Sequence, residues 1–355
     1  MNLKEFAAAI GVSPTTASRA LGGYPEVSES TRGRVVAEAA RLGYRPNTRA
    51  RGLATGRAMT IGHVVPLAAS GELVNPIFTE SIAGASETYG AAGYALRLSV
   101  VPDADEAATY RDLAAEGSVD GVVLHAPRVG DPRIALLDEI GLPFLVHGRV
   151  PGAERPYAWV DVDNARAFEE ATDLLLDLGH RRIALVNGRE SQDFALRRRR
   201  GYERALARRD VPAVPDLVVA DDMTEAVGYL AARDLIGRRD GPTAILVSSI
   251  ISAIGVRRAV DEAGLRMGAD VSVVVFDDVL SYLGNDEPGG TPLFTAARSS
   301  VRAGGRLAAR MLIDHIVARA ADAAAPPPTR LLEAEMTMGR STGPVPRTAP
   351  RRARA

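Results

Sequence analysis

At 355 residues the chain is too long for one simple core and predicts two or three domains, while 46% hydrophobic and 25% charged residues exclude a disordered protein. The absence of cysteine excludes disulfides and thiolate metal sites and accords with a reducing compartment. The net charge of −1 conceals an asymmetry: residues 1–60 carry nine Lys or Arg against four Glu, so a basic head suited to a polyanion precedes an acidic body.

The N-terminal stretch MNLKEFAAAIGVS alternates charged and apolar residues and lacks the apolar core of a secretory signal. No stretch approaches the ~20 apolar residues that cross a bilayer. A soluble cytoplasmic protein without a membrane partner is the expectation. Leu3, Phe6, Ala7 and Ile10 have the spacing of an amphipathic first helix, which Gly11 ends. Val12 plugs the turn. Ser13 is a suitable N-cap and Pro14 suits a first helical position, so a second helix runs to about Leu21 and stops at Gly22–Gly23. Its Ala17, Ala20 and Leu21 can point inward, leaving Thr15, Thr16, Ser18 and Arg19 outside. Ser28 can cap a third helix with Val35, Val36, Ala39 and Leu42 on the inner face, closed by Gly43.

This order is a helix-turn-helix arrangement over residues 1–46. A slim second helix bearing hydroxyls and an arginine can enter a major groove and bond base edges and phosphates. The plain alternative is a solvated face on a small helical bundle. In the next segment, residues 47–58, Asn47 can cap a helix over 48–55. Leu53 is its one large apolar residue, flanked by Arg49, Arg51 and Arg57. A helix this short is unstable alone in water. It could fold on DNA, with arginines on phosphates and the leucine wedged between base pairs in the minor groove; otherwise it is a flexible basic linker.

The strings GVSPTTASRAL, VSESTRGRVVAEAARLGYRPN and ARGLATGR resemble the LacI-type (lactose-repressor) family of bacterial transcription regulators. The resemblance implies that Thr15, Thr16, Ser18 and Arg19 face the DNA groove, that Leu53 is the intercalating hinge leucine, and that Asn47, Arg49 and Arg51 lie in the DNA-binding hinge. Gly22 stands where family members usually have Asn, and Ala54 where many carry a basic residue.

The body, residues 59–342, alternates. Apolar runs at 60–65, 94–101, 119–125, 143–148, 182–188, 216–220, 244–249 and 271–277 read as strands. Helical patterns lie between them near 77–92, 103–117, 131–140, 164–179, 195–209, 224–236 and 252–264. A last helix near 301–320 and a last strand near 331–338 complete the pattern. Near-continuous apolar strands separated by helices predict an α/β fold of parallel sheets covered on both faces. Two such lobes, with crossovers near 160, 290 and 325, would bind a ligand in the cleft at the carboxyl ends of their strands.

Asp277 ends a strand in VVVFDD facing that cleft, where a carboxylate can accept from two adjacent hydroxyls; the alternative is a helix-capping role. Phe78, in NPIF, can stack on a sugar face or join the core. Asp163–Asn164 reads as the N-cap of the helix near 164–179. His180 reads as a helix terminator, and the five histidines show no paired ligand spacing. G-x-G-x-x-G, Walker-A and G-x-S-x-G motifs are absent, so no enzyme, catalytic residue, metal or cofactor is expected.

Further strings extend the family resemblance to about Pro344: VDVDNARAFEEATDLLLDLGHRRIALVNG, RRRRGYERAL, AIGVRRAVDEAGL, VVVFDD and MGRSTGP. They imply an effector domain with the periplasmic sugar-binding fold, Arg198 as the ligand-binding arginine, and pocket positions at Met223 and Ser249. Met223 replaces a usual aromatic residue, Ser-Ser-Ile at 248–250 replaces a common Asn-Asp pair, and Val275 replaces a usual Gly. These departures predict a pocket less polar and less aromatic than a typical monosaccharide site, with a sugar or sugar-like effector. The expected protein is a repressor that binds pseudo-palindromic double-stranded operator DNA as a homodimer; no leucine heptads follow residue 342, which makes the dimer the simpler assembly, with a tetramer as the alternative. A transporter's solute-binding protein or an α/β enzyme using the cleft are the rival readings. Residues 343–355 read as a disordered basic tail.

Overall fold

A computed structural model of the chain describes residues 1–22, 24, 26–44, 57–66, 76–285 and 290–346. The head holds α1 (Leu3–Ala9), α2 (Pro14–Leu21) and α3 (Glu29–Arg41). Each helix starts on a side-chain cap: Asn2 and Glu5 form a reciprocal capping box, the Ser13 hydroxyl accepts from the Thr16 amide at 3.0 Å, and the Ser28 hydroxyl accepts from that of Thr31 at 3.4 Å. Phe6, Ala7, Ala17, Ala20, Val35, Ala39 and Tyr44 form the head core, with the Tyr44 ring stacked 4.2 Å from that of Phe6. Val36, expected inside, is 50% exposed. Val35 and Ala39 are four residues apart and own the inward stripe, and position 36 lies about 100° further round the helix.

The body strands are β1 (Thr60–Pro66), β2 (Ala95–Val101), β3 (Gly121–His125), β4 (Phe144–His147), β5 (Ala158–Val162), β6 (Ile183–Asn187), β7 (Val218–Ala220), β8 (Ala244–Val247), β9 (Ser272–Asp277), β10 (Thr295–Arg298), β11 (Thr329–Leu332) and β12 (Glu335–Thr337). Its helices are α4 (Pro76–Ala92), α5 (Glu106–Ala115), α6 (Pro132–Glu139), α7 (Asn164–Asp177), α8 (Asp193–Arg208), α9 (Glu225–Gly237), α10 (Ile250–Glu262) and α11 (Val301–Ala321).

Two six-stranded sheets result, ordered β11-β5-β4-β3-β1-β2 and β12-β10-β9-β8-β6-β7. All pairings are parallel except that of β10 with β12. Apolar side chains bury both faces of each sheet, as continuous runs such as VVVF require. The chain first changes lobe at 163. The later changes fall at 299–300 and 333–334, downstream of the expected 290 and 325.

The single strand expected near 331–338 is two strands, one per lobe. β10 carries no local strand signal, because TAAR is short and half alanine; its pairing in a buried slot makes it a strand. The tail was expected to begin at 343, yet Gly343 and Val345 are fixed to the second lobe. The Gly343 amide donates to the Ser272 hydroxyl at 3.1 Å, and the Val345 amide donates to the Leu178 carbonyl at 2.9 Å. His180 is buried here, its ring within hydrogen-bond distance of Thr243, Ser272 and the Gly343 carbonyl, so it ties a helix end to the sheet.

Glycines set the spacing of the covering helices. A Cβ on Gly255 of α10 would lie 2.0 Å from the Glu225 carbonyl oxygen of α9, and one on Gly228 of α9 would lie 2.0 Å from the Ser252 carbonyl oxygen of α10. Gly84 of α4 and Gly305 of α11 form the same reciprocal lock in the first lobe.

Candidate functional site

On α2, Thr15, Ser18 and Arg19 are exposed, while Ala17 and Ala20 are buried against the head core. Thr16 is half-buried because its hydroxyl bonds that of Ser13 at 2.8 Å, which makes it part of the cap. The helix therefore presents a narrow polar face on a rigid base. Asn47, Arg49, Arg51 and Leu53 lie outside the described residues.

Between the two sheets, at the carboxyl ends of β3, β4, β6 and β9, lies a cavity of about 190 Å³. Phe78, Arg198 and Met223 line it. Ser249 and Asp277 do not. Ser249 is buried and caps α10, its hydroxyl accepting from the Ile251 amide at 3.1 Å. Asp277 accepts from the Val279 amide at 2.8 Å and sits 3.3 Å from the Arg298 guanidinium. Val279 is held at φ +54, a costly conformation for a β-branched residue, and the Asp277 carboxylate braces that turn. The carboxylate that reaches the cavity is the next one, Asp278.

Asp278 is 7% exposed, and its Oδ2 has no hydrogen-bond partner among the described residues. A buried acceptor left unpaired costs free energy until a donor meets it. Burial pushes its carboxyl up to about 7, against the pull of Arg198 and with the charge of Asp277 adding. Arg198 is buried: its Nε donates to Asn164 Oδ1 at 2.8 Å and its Nη1 to the Ser248 carbonyl at 2.6 Å. The rings of Phe276, Phe194 and Phe168 surround its guanidinium at 4.0, 4.9 and 5.1 Å. Burial lowers its pKa to about 10, which leaves it charged at neutral pH. Asp163 caps α7 as read from sequence, but Asn164 serves the cavity by holding Arg198.

The first lobe contributes groups that sequence reading missed. His125 and His147 end β3 and β4 and line the cavity. The ring of His125 bonds that of His63 at 2.8 Å, and His63 in turn meets the Tyr89 hydroxyl at 3.0 Å. Burial, joined by mutual repulsion, lowers His63 to about 3 and His125 well below its usual value, and burial alone lowers His147 to about 4. These rings are neutral at pH 7, so the two that line the cavity, His125 and His147, offer it polar nitrogens without charge. Arg149 pairs with Asp161 at 2.9 Å, and both line the cavity. Burial raises Asp161 to about 6 despite that pairing. With three phenylalanines and several charged groups around it, the cavity is richer than the predicted sparse pocket. The local signal for His125 and His147 was a polar residue ending an apolar strand, the same signal that drew attention to Asp277.

The pKa of Asp278 has a measurable consequence. Its folded-state value is raised, so the native state holds a proton that the unfolded chain has lost between about pH 4 and 7. The stability due to this group is present below that window and is lost as pH rises through it. Asp278→Asn removes the penalty. Melting curves are expected to coincide near pH 4, with the variant progressively the more stable of the two up to pH 7; parallel curves would contradict the buried protonation.

Two family models match the chain: bacterial regulatory proteins, lacI family, over residues 2–47, and a periplasmic binding protein-like domain over residues 172–342. The HTH-type transcriptional regulator AglR of Rhizobium meliloti (strain 1021) is 44% identical, covering 99% of this chain and 96% of that protein. A solved transcriptional regulator CelR–cellobiose complex superposes with a TM-score of 0.69 at 29% identity, covering 96% of this chain and 99% of that one. A lac repressor dimer bound to operator and the anti-inducer ONPF gives a TM-score of 0.73 at 25% identity, covering 97% and 99% respectively.

Proposed function

We propose, from the premise that the chain belongs to the lacI family of bacterial regulatory proteins, that a sugar bound between its two lobes sets its affinity for operator DNA. It is a DNA-binding transcriptional regulator with a helix-turn-helix head and a periplasmic-binding-protein-like body. The observation that carries the sugar reading is Asp278 Oδ2, a buried acceptor on the wall of the cavity without a partner among the described residues. A sugar hydroxyl is a donor of the right size and charge for it. Arg198, Asn164 and the neutral imidazoles of His125 and His147 supply further polar contacts, and Phe78 an apolar ring face. The CelR relative binds cellobiose in its solved complex, which supports a saccharide here. The cleft is a binding site in this reading, with no reaction assigned to it.

The head, residues 1–46, reads the major groove with Thr15, Thr16, Ser18 and Arg19. The segment 47–58 reads the minor groove with Asn47, Arg49, Arg51 and Leu53. The protein acts in the cytoplasm as a homodimer and repressor on a pseudo-palindromic site; among the described residues no helix is long and apolar enough to cross a membrane. Leu98 and Val100 on the edge strand β2, and Leu230 and Ile254 on α9 and α10, are exposed apolar side chains that a second copy would cover. Effector occupancy changes the relation of the lobes and so the pairing of the two hinge segments. A coupling of about 1–3 kcal/mol would change operator affinity roughly 5- to 150-fold.

Three measurements test the reading. A thermal-shift screen of the chain against ribose, glucose, cellobiose, melibiose and raffinose is expected to give a stabilising sugar whose effect Asp278→Asn removes; a shift that survives this change places the ligand elsewhere. Operator binding is expected to weaken steeply with salt. Leu53→Ala should cost far more affinity on the operator than on random DNA, and equal losses would rule out the wedge.

A further inference from the structure

We propose that Arg133, which does not line the cavity, is the positioning residue that keeps the two lobes latched at the mouth of the effector cleft; its effect on effector binding rests on the sugar reading above. The latch is a main-chain contact. The turn after β3, residues 126–129, belongs to the first lobe, and the segment that leads into the first residue of α8, residues 189–193, belongs to the second. The Val129 amide donates to the Ser191 carbonyl at 3.0 Å, and the Asp193 amide donates to the Pro127 carbonyl at 3.0 Å. Arg128 and Gln192 face each other between them as an isolated antiparallel bridge. Both segments also wall the cavity, through Ala126 and Pro127 on one side and Gln192 and Asp193 on the other.

The first-lobe turn is not self-supporting. Ala126 sits at φ +44, a conformation that costs a non-glycine residue about 1–3 kcal/mol unless its surroundings hold it. Arg133 supplies that hold. Its Nη2 donates to the carbonyls of His125 and Ala126, each at 3.3 Å, and closes on Asp131 Oδ2 at 2.6 Å. Its Nη1 donates to Glu106 at 2.9 Å. Asp131 accepts in turn from the Arg128 amide at 2.9 Å, on the far side of the turn. The cluster is buried: Arg133 is 7%, Asp131 6% and Glu106 5% exposed. One guanidinium fork therefore fixes both ends of a strained turn whose middle reaches across to the other lobe. Only a planar, multidentate donor can serve two carboxylates and two carbonyls at once.

Arg133→Lys keeps the charge and loses the fork. Glu106→Gln keeps Arg133 and removes one charged partner. Amide hydrogen exchange on the full chain is expected to show peptides covering 126–131 and 189–194 exchanging roughly tenfold faster in both variants, with β3 and β8 as protected as in the wild type. Val129→Pro, at an exposed position, deletes one crossing donor directly and should loosen the 189–194 peptide alone among second-lobe segments. The sugar that stabilises the wild type should bind each variant roughly tenfold more weakly. Unchanged exchange in 126–131 and 189–194 in Arg133→Lys and Glu106→Gln overturns the proposal. Faster exchange throughout the first lobe overturns it too, since Arg133 would then be holding the fold and not the latch. If no sugar binds the wild type, the sugar reading fails while the exchange result still decides the latch.

Discussion

Arg198→Ala is expected to abolish the effector response while leaving operator binding without effector within about twofold of the wild type. The Arg198 guanidinium acts on Asp278 directly: its charge opposes the rise in the Asp278 pKa, and both groups line the cavity. Its removal takes a donor fork from the site. It also leaves Asn164 Oδ1 and the Ser248 carbonyl without their donor, inside a box of three phenyl rings. Truncating one partner of a buried, hydrogen-bonded charged contact costs about 2–5 kcal/mol, or roughly 30-fold and more in effector affinity. Arg198→Lys should recover little, because an ammonium cannot reproduce the two bonds at 2.8 and 2.6 Å together with stacking on Phe276. Operator titrations with and without the stabilising sugar read both quantities. An effector response of wild-type size in Arg198→Ala would move the binding site out of this cavity.

Gly255→Ala carries the largest expected loss of stability. The added methyl carbon would stand 2.0 Å from the Glu225 carbonyl oxygen and 2.6 Å from the Tyr229 amide nitrogen, both main-chain atoms of α9. No side chain can swing away, so α9 and α10 must separate along their packed length. Overpacking of this kind costs about 1–3 kcal/mol and more where backbone moves. A fall in apparent melting temperature on the order of 5–10 °C follows for a domain of this size. Gly237→Ala, at the end of α9 with nothing near its virtual Cβ, is the matched control and should be neutral or slightly stabilising. Equal melting temperatures for Gly255→Ala and Gly237→Ala would contradict a backbone-to-backbone contact between α9 and α10.

The head was almost fully legible in the sequence because its determinants are local. Ser13 and Ser28 cap helices within three residues of themselves, and Gly11 and Gly43 adopt the left-handed conformation where a helix must end. Strands β3, β6, β8 and β9 were legible for a related reason: a strand buried on both faces must be apolar at every position, and short runs such as VVVF announce it.

Tertiary structure alone decided which side chains meet at the cleft. Asp277 and Asp278 are neighbours of one type, and sequence assigned the cavity to the first. Adjacent residues at a strand end point to opposite sides, so the turn through Val279 sends Asp277 to brace the backbone and Asp278 to the ligand wall. Ser249 was drawn away in the same manner by an amide that needed a cap. His125, His147 and Asp161 are separated in the chain and become one site only when β3, β4 and β5 lie side by side opposite the second lobe. Caps, turns and burial periods act over a few residues and leave their mark in the letters. Strand order, register and lobe crossings act across the whole chain, and they placed Arg198 before Asp278 and Arg133 behind the turn that joins the lobes.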